Sequence, residues 1–328
     1  MTRALILGAA GMLGHDLVAT APQGVALFPF PKTALDITDA GALAAIVAEA
    51  RPDTVINAAA YTAVDRAESE PEVAFRVNGA AVGALGRIAR QAGARVIHFS
   101  TDYVFDGTSA EPYTEESQPN PINVYGASKL AGETALRASG AHYLIVRTQW
   151  LFGARGRSFP RTMWERATAR LPSRVVSDQV DRPTYSVDLA RAAWRRSARE
   201  LAGVIQVASA GVATWYDMAK RVYAACGADH FVQPCSTAQF SCPPNDPSAR
   251  CSARRARSKP WAVLCPVGRT RSIGVSRRSA PESRRHCDRC GARSVPVQPV
   301  TWRSGRCGWP CSRRKPARQS TRAAATAV

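Results

Sequence analysis

The chain has 328 residues, 45% of them hydrophobic, with 44 Lys and Arg against 25 Asp and Glu for a formal charge of +19. That apolar share excludes a chain disordered over most of its length and allows one large or two ordinary domains with a real core. The charge excludes less than it suggests, because residues 1–234 hold 24 basic and 22 acidic groups (net +2), whereas residues 235–328 hold 20 and 3 (net +17).

The basic field therefore belongs to the end of the chain, and no nucleic-acid partner is expected for the rest. Of the nine cysteines only Cys226 precedes position 235, a usage that fits a reducing cytoplasm. The opening TRALILGAAGMLG is broken by three glycines and lacks a strong basic start, so it reads poorly as a signal peptide. No run approaches the roughly 18 apolar residues of a membrane helix. A soluble, cytoplasmic protein without a membrane partner is expected.

In chain order, short apolar runs at 4–8, 25–28, 53–57, 95–100 and 142–147 read as strands. Between them, residues 40–50 and 73–93 repeat their apolar positions at three and four, the period of a helix. This alternation predicts an α/β fold, a doubly wound parallel sheet with helices on both faces. Beyond 150 the pattern loosens, with helices expected at 159–170, 186–199 and 214–226 and a strand at 204–208. The domains expected are 1–150 for a dinucleotide, 151–240 for the rest of the sheet and a small, incomplete substrate lobe, and 241–328 as a basic Cys/Arg/Pro-rich tail.

The first strand ends in GAAGMLG, which spaces Gly8, Gly11 and Gly14 by three. Such a loop lets backbone amides approach a pyrophosphate at a helix amino terminus; it also serves as a plain glycine turn under a packed helix. After the second strand no acid follows directly and Lys32 is the nearest charge, which leans toward NADPH over NADH. Asp36 and Ile37 come slightly later and border the adenine in this reading, with Thr38 or Asp39 as a helix cap instead.

The fourth strand runs into STDYVFDG, putting Ser100 and Thr101 at the carboxyl edge of the sheet. YGASK places Tyr125 and Lys129 four apart, on one face of a helix. A cationic lysine beside a phenol lowers its pKa and makes it a better proton donor and acceptor near neutrality; the same spacing also occurs as ordinary surface chemistry.

With GAAGMLG, STDYVFDG and YGASK together, the chain resembles the extended short-chain dehydrogenase/reductase superfamily. The stretches VINAAAYTAVDRAES (55–69), PINVYGASKLAGE (121–133), VRTQWLFG (146–153) and DQVDRPT (178–184) narrow the resemblance to its dTDP-4-dehydrorhamnose reductase branch, over about residues 3–240. The resemblance implies hydride delivery from NADPH or NADH to the C4 ketone of a dTDP-4-dehydro-L-rhamnose substrate. It implies Tyr125 as proton donor, Lys129 as its tuner and holder of the nicotinamide ribose, and Thr101 bonded to the carbonyl oxygen. Met12, Leu13, Ala60, Tyr61 and Thr62 would line the cofactor, and Asp102 and Trp150 the sugar. Bound magnesium is implied for some members, with no ligands assignable here, and a homodimer is compatible with it. Asp181 stands where the branch usually has glycine, on a loop where a charge would crowd a diphosphate. His15 reads as a solvent-facing helix residue. Besides the enzyme, a non-catalytic dinucleotide-binding regulatory protein and an inactive product of a damaged gene share these motifs.

After residue 240 the resemblance fades. Residues 235–328 contain one Ile, one Leu, no Tyr and no Met, too little apolar content to offset the entropy of ordering. Three readings compete: a disordered basic tail, a zinc module built on CDRC (287–290) and CGWPC (307–311), and an out-of-frame translation beginning near 241. The last is favoured, since it accounts for the surplus of Arg, Pro, Ser and Cys.

Overall fold

The computed structural model describes residues 2–109, 111–197 and 201–240. β1 (Thr2–Leu7) ends at the glycine turn, and α1 (Met12–Ala19) leads back to β2 (Val25–Phe30). α2 (Ala40–Ala50) and β3 (Thr54–Asn57) follow, then two short helices, α3 (Val64–Ala67) and α4 (Pro71–Phe75). A π-helical turn at Arg76–Ala80 joins α4 to α5 (Ala81–Gln91), which returns to β4 (Arg95–Thr101). A 3-10 turn at Asp102–Val104 and a long loop precede α6 (Val124–Ala138) and β5 (Tyr143–Thr148).

The remainder alternates short strands with helices: β6 (Leu151–Phe152), α7 (Phe159–Thr168), β7 (Ser173–Val176), β8 (Val180–Asp181), β9 (Thr184–Tyr185) and α8 (Ser186–Ser197). β10 (Gly203–Gln206), β11 (Ala213–Thr214), α9 (Trp215–Ala225) and β12 (Val232–Cys235) complete the described elements.

Six strands form one sheet in the order β2-β1-β3-β4-β5-β10, every pair parallel. The doubly wound sheet read from the pattern is thus present, and every residue of β3 and β4 at its centre is buried. Pro29 lies in β2, where an edge strand tolerates a missing N–H. Side chains alternate between faces. Leu5, Leu7, Val55, Val96 and Ile145 pack under Leu43 and Val47 of α2, Val82 and Leu85 of α5 and Leu136 of α6. Ala4, Ile6, Ile56, Ile97, Leu144 and Val146 pack under Leu13 and Leu17 of α1 and Leu189, Ala193 and Trp194 of α8. Strand order reverses at β1, between β2 and β3, which opens a crevice at the carboxyl ends of the strands.

The region after β5 builds a second, smaller core from Met163 and Ala167 of α7, Ala219 and Tyr223 of α9, Val175 of β7 and Val232 of β12. Its strands pair two by two: β6 with β9, β7 with β12, β8 with β11.

The helix expected over 73–93 is divided by the π turn. Asn78, inside that turn, is buried and bonds the loop after β3 and Ser128 of α6, and such one-turn widenings accompany groups drawn out of the regular ladder. Across from it Gly132 lets α6 approach, since a Cβ there would lie 2.0 Å from the Asn78 carbonyl oxygen. The tail of residues 241–328, with its disorder, zinc and out-of-frame readings, lies outside the described residues.

Candidate active site

The glycine loop is fixed by geometry that a side chain would break. Gly8 has φ +75° and a Cβ on it would lie 2.7 Å from the Ala59 nitrogen; one on Gly14 would lie 2.1 Å from the Gly8 oxygen. The first substitution forces the end of β1 away from the end of β3, the second forces α1 off the loop. Gly11 is the N-cap of α1 and offers no side chain to its amides. That leaves a helix N-terminus whose dipole and N–H groups suit an anion. Leu13 is buried in the α1/α8 core, so only its backbone is turned to the loop. Met12 instead lies over Gly153, where a Cβ would stand 3.1 Å from Met12 Cγ and 2.1 Å from Ser186 Oγ.

After β2, the Asp36 carboxylate accepts bonds from the Thr38 amide (2.9 Å) and hydroxyl (2.8 Å). Those bonds hold its carboxyl below the usual range. Asp39, not Thr38, caps α2 by accepting from the Ala42 amide at 2.9 Å. Ile37 is buried in the core and Lys32 is exposed. After β3, the stretch Ala60–Thr62 is clamped by Asn78, whose Oδ1 accepts from the Tyr61 amide at 2.9 Å while its Nδ2 donates to the Tyr61 oxygen at 3.0 Å. The Tyr61 hydroxyl donates to Glu70 at 2.7 Å, and desolvation followed by that carboxylate pushes its pKa up.

Thr101 closes β4. Its hydroxyl donates to Asp102 Oδ1 at 3.0 Å and accepts from the Tyr103 amide at 3.2 Å, capping the 3-10 turn. Ser100 is buried on the opposite face, its Oγ without a partner among the described residues. α6 is brought to this edge by Gly126, where a Cβ would lie 2.1 Å from the Tyr103 oxygen, and Asn123 caps it by accepting from the Gly126 amide at 2.7 Å. Tyr125, in its first turn, meets Tyr103 edge-on with ring centroids 5.4 Å apart.

Lys129 is buried, its Nζ donating to the Phe99 oxygen at 2.7 Å and standing 3.4 Å from His98 Nε2. Burial brings its ammonium down to about 8, against the pull of Glu133. Glu133, one turn along, accepts two bonds from Arg147 of β5 at 2.9 and 2.8 Å and one from Arg137 at 3.0 Å.

Trp150 follows β5 with φ +42°, a left-handed conformation that costs a bulky side chain about 1–3 kcal/mol. Its ring stacks on Trp215 of α9 at 3.5 Å, and Phe159 meets Trp215 edge-on at 4.7 Å. Trp150 Nε1 and both amide atoms of Gln149 are buried with no hydrogen-bond partner among the described residues. Asp181 is buried and accepts from the Arg182 amide at 2.9 Å. His15 is partly exposed beside Asp16 at 3.4 Å.

The sheet therefore brings Gly8, Gly11, Gly14, Asp36, Tyr61, Thr101 and Trp150 to the carboxyl ends of five adjacent strands, with Tyr125 and Lys129 laid across β4 from α6. Sequence reading missed Asn78, His98, Trp215 and Gln149. Asn78 and His98 lie within stretches that read only as apolar helix and strand, and Trp215 opens a helix sixty-five residues from its stacking partner. Among the described residues no cluster of three or more His, Cys, Asp or Glu side chains is arranged to hold a metal ion. Nor is any helix there long and apolar enough to cross a membrane.

Residues 2–258 match the RmlD substrate binding domain family, a match that runs past residue 240, where the motifs alone suggested an end. A dTDP-4-keto-6-deoxy-D-glucose reductase of Streptomyces niveus is 43% identical over 230 residues, covering 69% of this chain and 80% of the relative. A dTDP-4-dehydrorhamnose reductase of Mycobacterium tuberculosis is 38% identical over 297 residues, covering 88% of this chain and 96% of the relative. Among solved structures, the dTDP-4-dehydrorhamnose reductase of Bacillus anthracis in complex with NADP superposes with a TM-score of 0.71 at 37% identity, covering 74% of this chain and 88% of that one.

Proposed function

The chain belongs to the RmlD substrate binding domain family, and from that premise we propose that it is a nicotinamide-dependent reductase of the 4-keto group of a dTDP-6-deoxy sugar, converting dTDP-4-dehydro-L-rhamnose to dTDP-L-rhamnose. The observation that carries the proposal is the convergence at β4: Lys129 is anchored on the Phe99 carbonyl, one helical turn from Tyr125, beside the Thr101–Asp102 pair. NADPH or NADH, when bound, supplies the hydride. The residues present fit such a group, since Gly8 and Gly14 leave no room for a Cβ where the backbone closes and α1 offers an uncapped N-terminus.

Tyr125 Oη gives its proton to the developing alkoxide oxygen, and Lys129 sets how readily the phenol parts with it. The Thr101 hydroxyl, released from Asp102, donates to the same oxygen, where a placed donor is worth most as charge develops. Asp36 and Ile37 border the adenosine, Ala60, Tyr61 and Thr62 the middle of the dinucleotide, and Asp102 and Trp150 the sugar ring. The domains follow the same division, 1–150 for the dinucleotide and 151–240 for the rest of the sheet and the sugar lobe. We place the protein in the cytoplasm and read it as a homodimer, which sedimentation of the purified chain tests.

Absorbance loss of NADPH with dTDP-4-dehydro-L-rhamnose, beside dTDP-4-keto-6-deoxy-D-glucose, tests the proposal. Turnover of the first that Tyr125→Phe abolishes without weakening dinucleotide binding supports it. Cofactor binding with no turnover of either sugar overturns it in favour of a binding protein of the same fold.

A further inference from the structure

Behind Lys129 lies a row of buried polar groups whose hydrogens can be assigned by elimination. Asn57 of β3 and His98 of β4 are register partners, both buried. Asn57 Oδ1 accepts from the Ala59 amide at 3.1 Å, which fixes the orientation of the carboxamide. Its Nδ2, which carries only donors, then faces His98 Nδ1 at 3.1 Å. Nδ1 must therefore be the bare nitrogen. His98 is fully buried, and desolvation, then the neighbouring lysine, hold its imidazole well below the ordinary histidine range, so the ring is neutral. A neutral ring with a bare Nδ1 carries its hydrogen on Nε2, and Nε2 stands 3.4 Å from Lys129 Nζ.

An ammonium at that position meets an N–H head on, donor against donor. A free amine offers a lone pair to the His98 hydrogen while still donating to the Phe99 oxygen at 2.7 Å. We propose that His98, locked by Asn57 as the Nε2–H tautomer, is a positioning residue that favours the free amine of Lys129 over its ammonium in the enzyme without substrate.

The other groups facing Lys129 do not reverse this. Glu133 on α6 favours the ammonium, but its carboxylate is shared between Arg147 at 2.9 and 2.8 Å and Arg137 at 3.0 Å, which offsets its field. Tyr125 stands one helical turn before Lys129 on α6 and is uncharged while it keeps its proton. The consequence, which rests on the reductase reading above, concerns direction. An uncharged Lys129 leaves Tyr125 protonated, the form that gives a proton to a ketone oxygen, whereas a charged one favours the phenolate, the form that takes a proton from an alcohol.

Two-bond proton–nitrogen spectra of histidine-labelled full-length protein read the tautomer directly, with the His98 signal identified by its loss in His98→Phe. The expected result is a neutral ring with hydrogen on Nε2 between pH 6 and 9; hydrogen on Nδ1, or on both nitrogens, overturns the inference. In lysine-labelled protein the Lys129 Cε resonance should report a free amine at pH 9, and an ammonium persisting there overturns it as well. Neither measurement needs turnover, so a failure of the reductase reading stays separate. In an active enzyme, His98→Phe should move the high-pH limb of kcat/KM for reduction downward by about one pH unit, because Lys129 keeps its charge and the phenol ionises earlier. An unmoved limb in a folded variant overturns the inference.

Discussion

The sheet region and the lobe after β5 solve the same problem with different means. In the sheet, strands of four to seven residues pair in one parallel array between two helical layers. The loops at its carboxyl edge are set by main-chain closeness at Gly8, Gly14 and Gly126. In the lobe, four of the strands have two residues each, and what joins the segments is side chains: Trp150 on Trp215 on Phe159, Ser173 on Tyr223, Gln179 on Thr237. A dinucleotide's constant phosphates can be met by backbone, whereas a variable sugar needs side chains that can be exchanged without rebuilding a sheet.

Substitutions can break or sharpen that contrast. The largest effect belongs to chemistry at the sheet edge: Tyr125→Phe should lower reduction about a thousand-fold, with dinucleotide affinity by fluorescence titration unchanged. Next, Glu133→Leu leaves the buried Arg147 guanidinium without its carboxylate and should destabilise the whole chain by about 3 kcal/mol in urea unfolding. In the lobe, Trp215→Ala should cost about 2 kcal/mol and raise KM for the sugar about ten-fold, the affinity lost with about 1.4 kcal/mol of binding, while NADPH affinity stays put. A parallel loss of NADPH affinity would show that the regions are not separable.

A pH test singles out the sheet. Burial lowers the Lys129 ammonium from 10.5 to about 8, so between those values the unfolded chain binds the proton and the folded one does not. Stability therefore falls as pH drops from 10.5 to 8, and Lys129→Met should flatten that slope in thermal melts across the window. The smallest effects form a matched pair of helix caps, Asp39→Ala for α2 and Thr214→Ala for α9, each expected to cost about 1 kcal/mol. Both side chains accept an amide three residues on, at 2.9 Å.

The legible parts of the fold were those with a strong period. The five apolar runs read as strands became β1 to β5, and the helix read at 40–50 is α2 residue for residue. The break at 76–80 was hidden because RVNGA keeps the helical spacing of its neighbours while Asn78 turns away to bond a loop seventeen residues earlier. At the site, Thr101, Tyr125 and Lys129 were legible from short motifs on the right elements. Asp102 was legible as a residue but not as the acceptor that holds the Thr101 hydroxyl. Nothing in a strand reading RVIHFST marks its histidine as the neighbour of a lysine thirty-one residues on.

Period, composition and spacing by themselves determined the class of fold, the places of the first five strands along the chain, the phosphate loop and the face shared by Tyr125 and Lys129, because each follows from a pattern within one element or its immediate turn. Tertiary structure alone decided which buried groups meet: Asn57 with His98, His98 with Lys129, Glu133 with Arg147, Trp150 with Trp215. Those pairs depend on the register of neighbouring strands and on how closely α6 and α9 approach, distances that arise only when glycines such as Gly126 and Gly132 let the elements close.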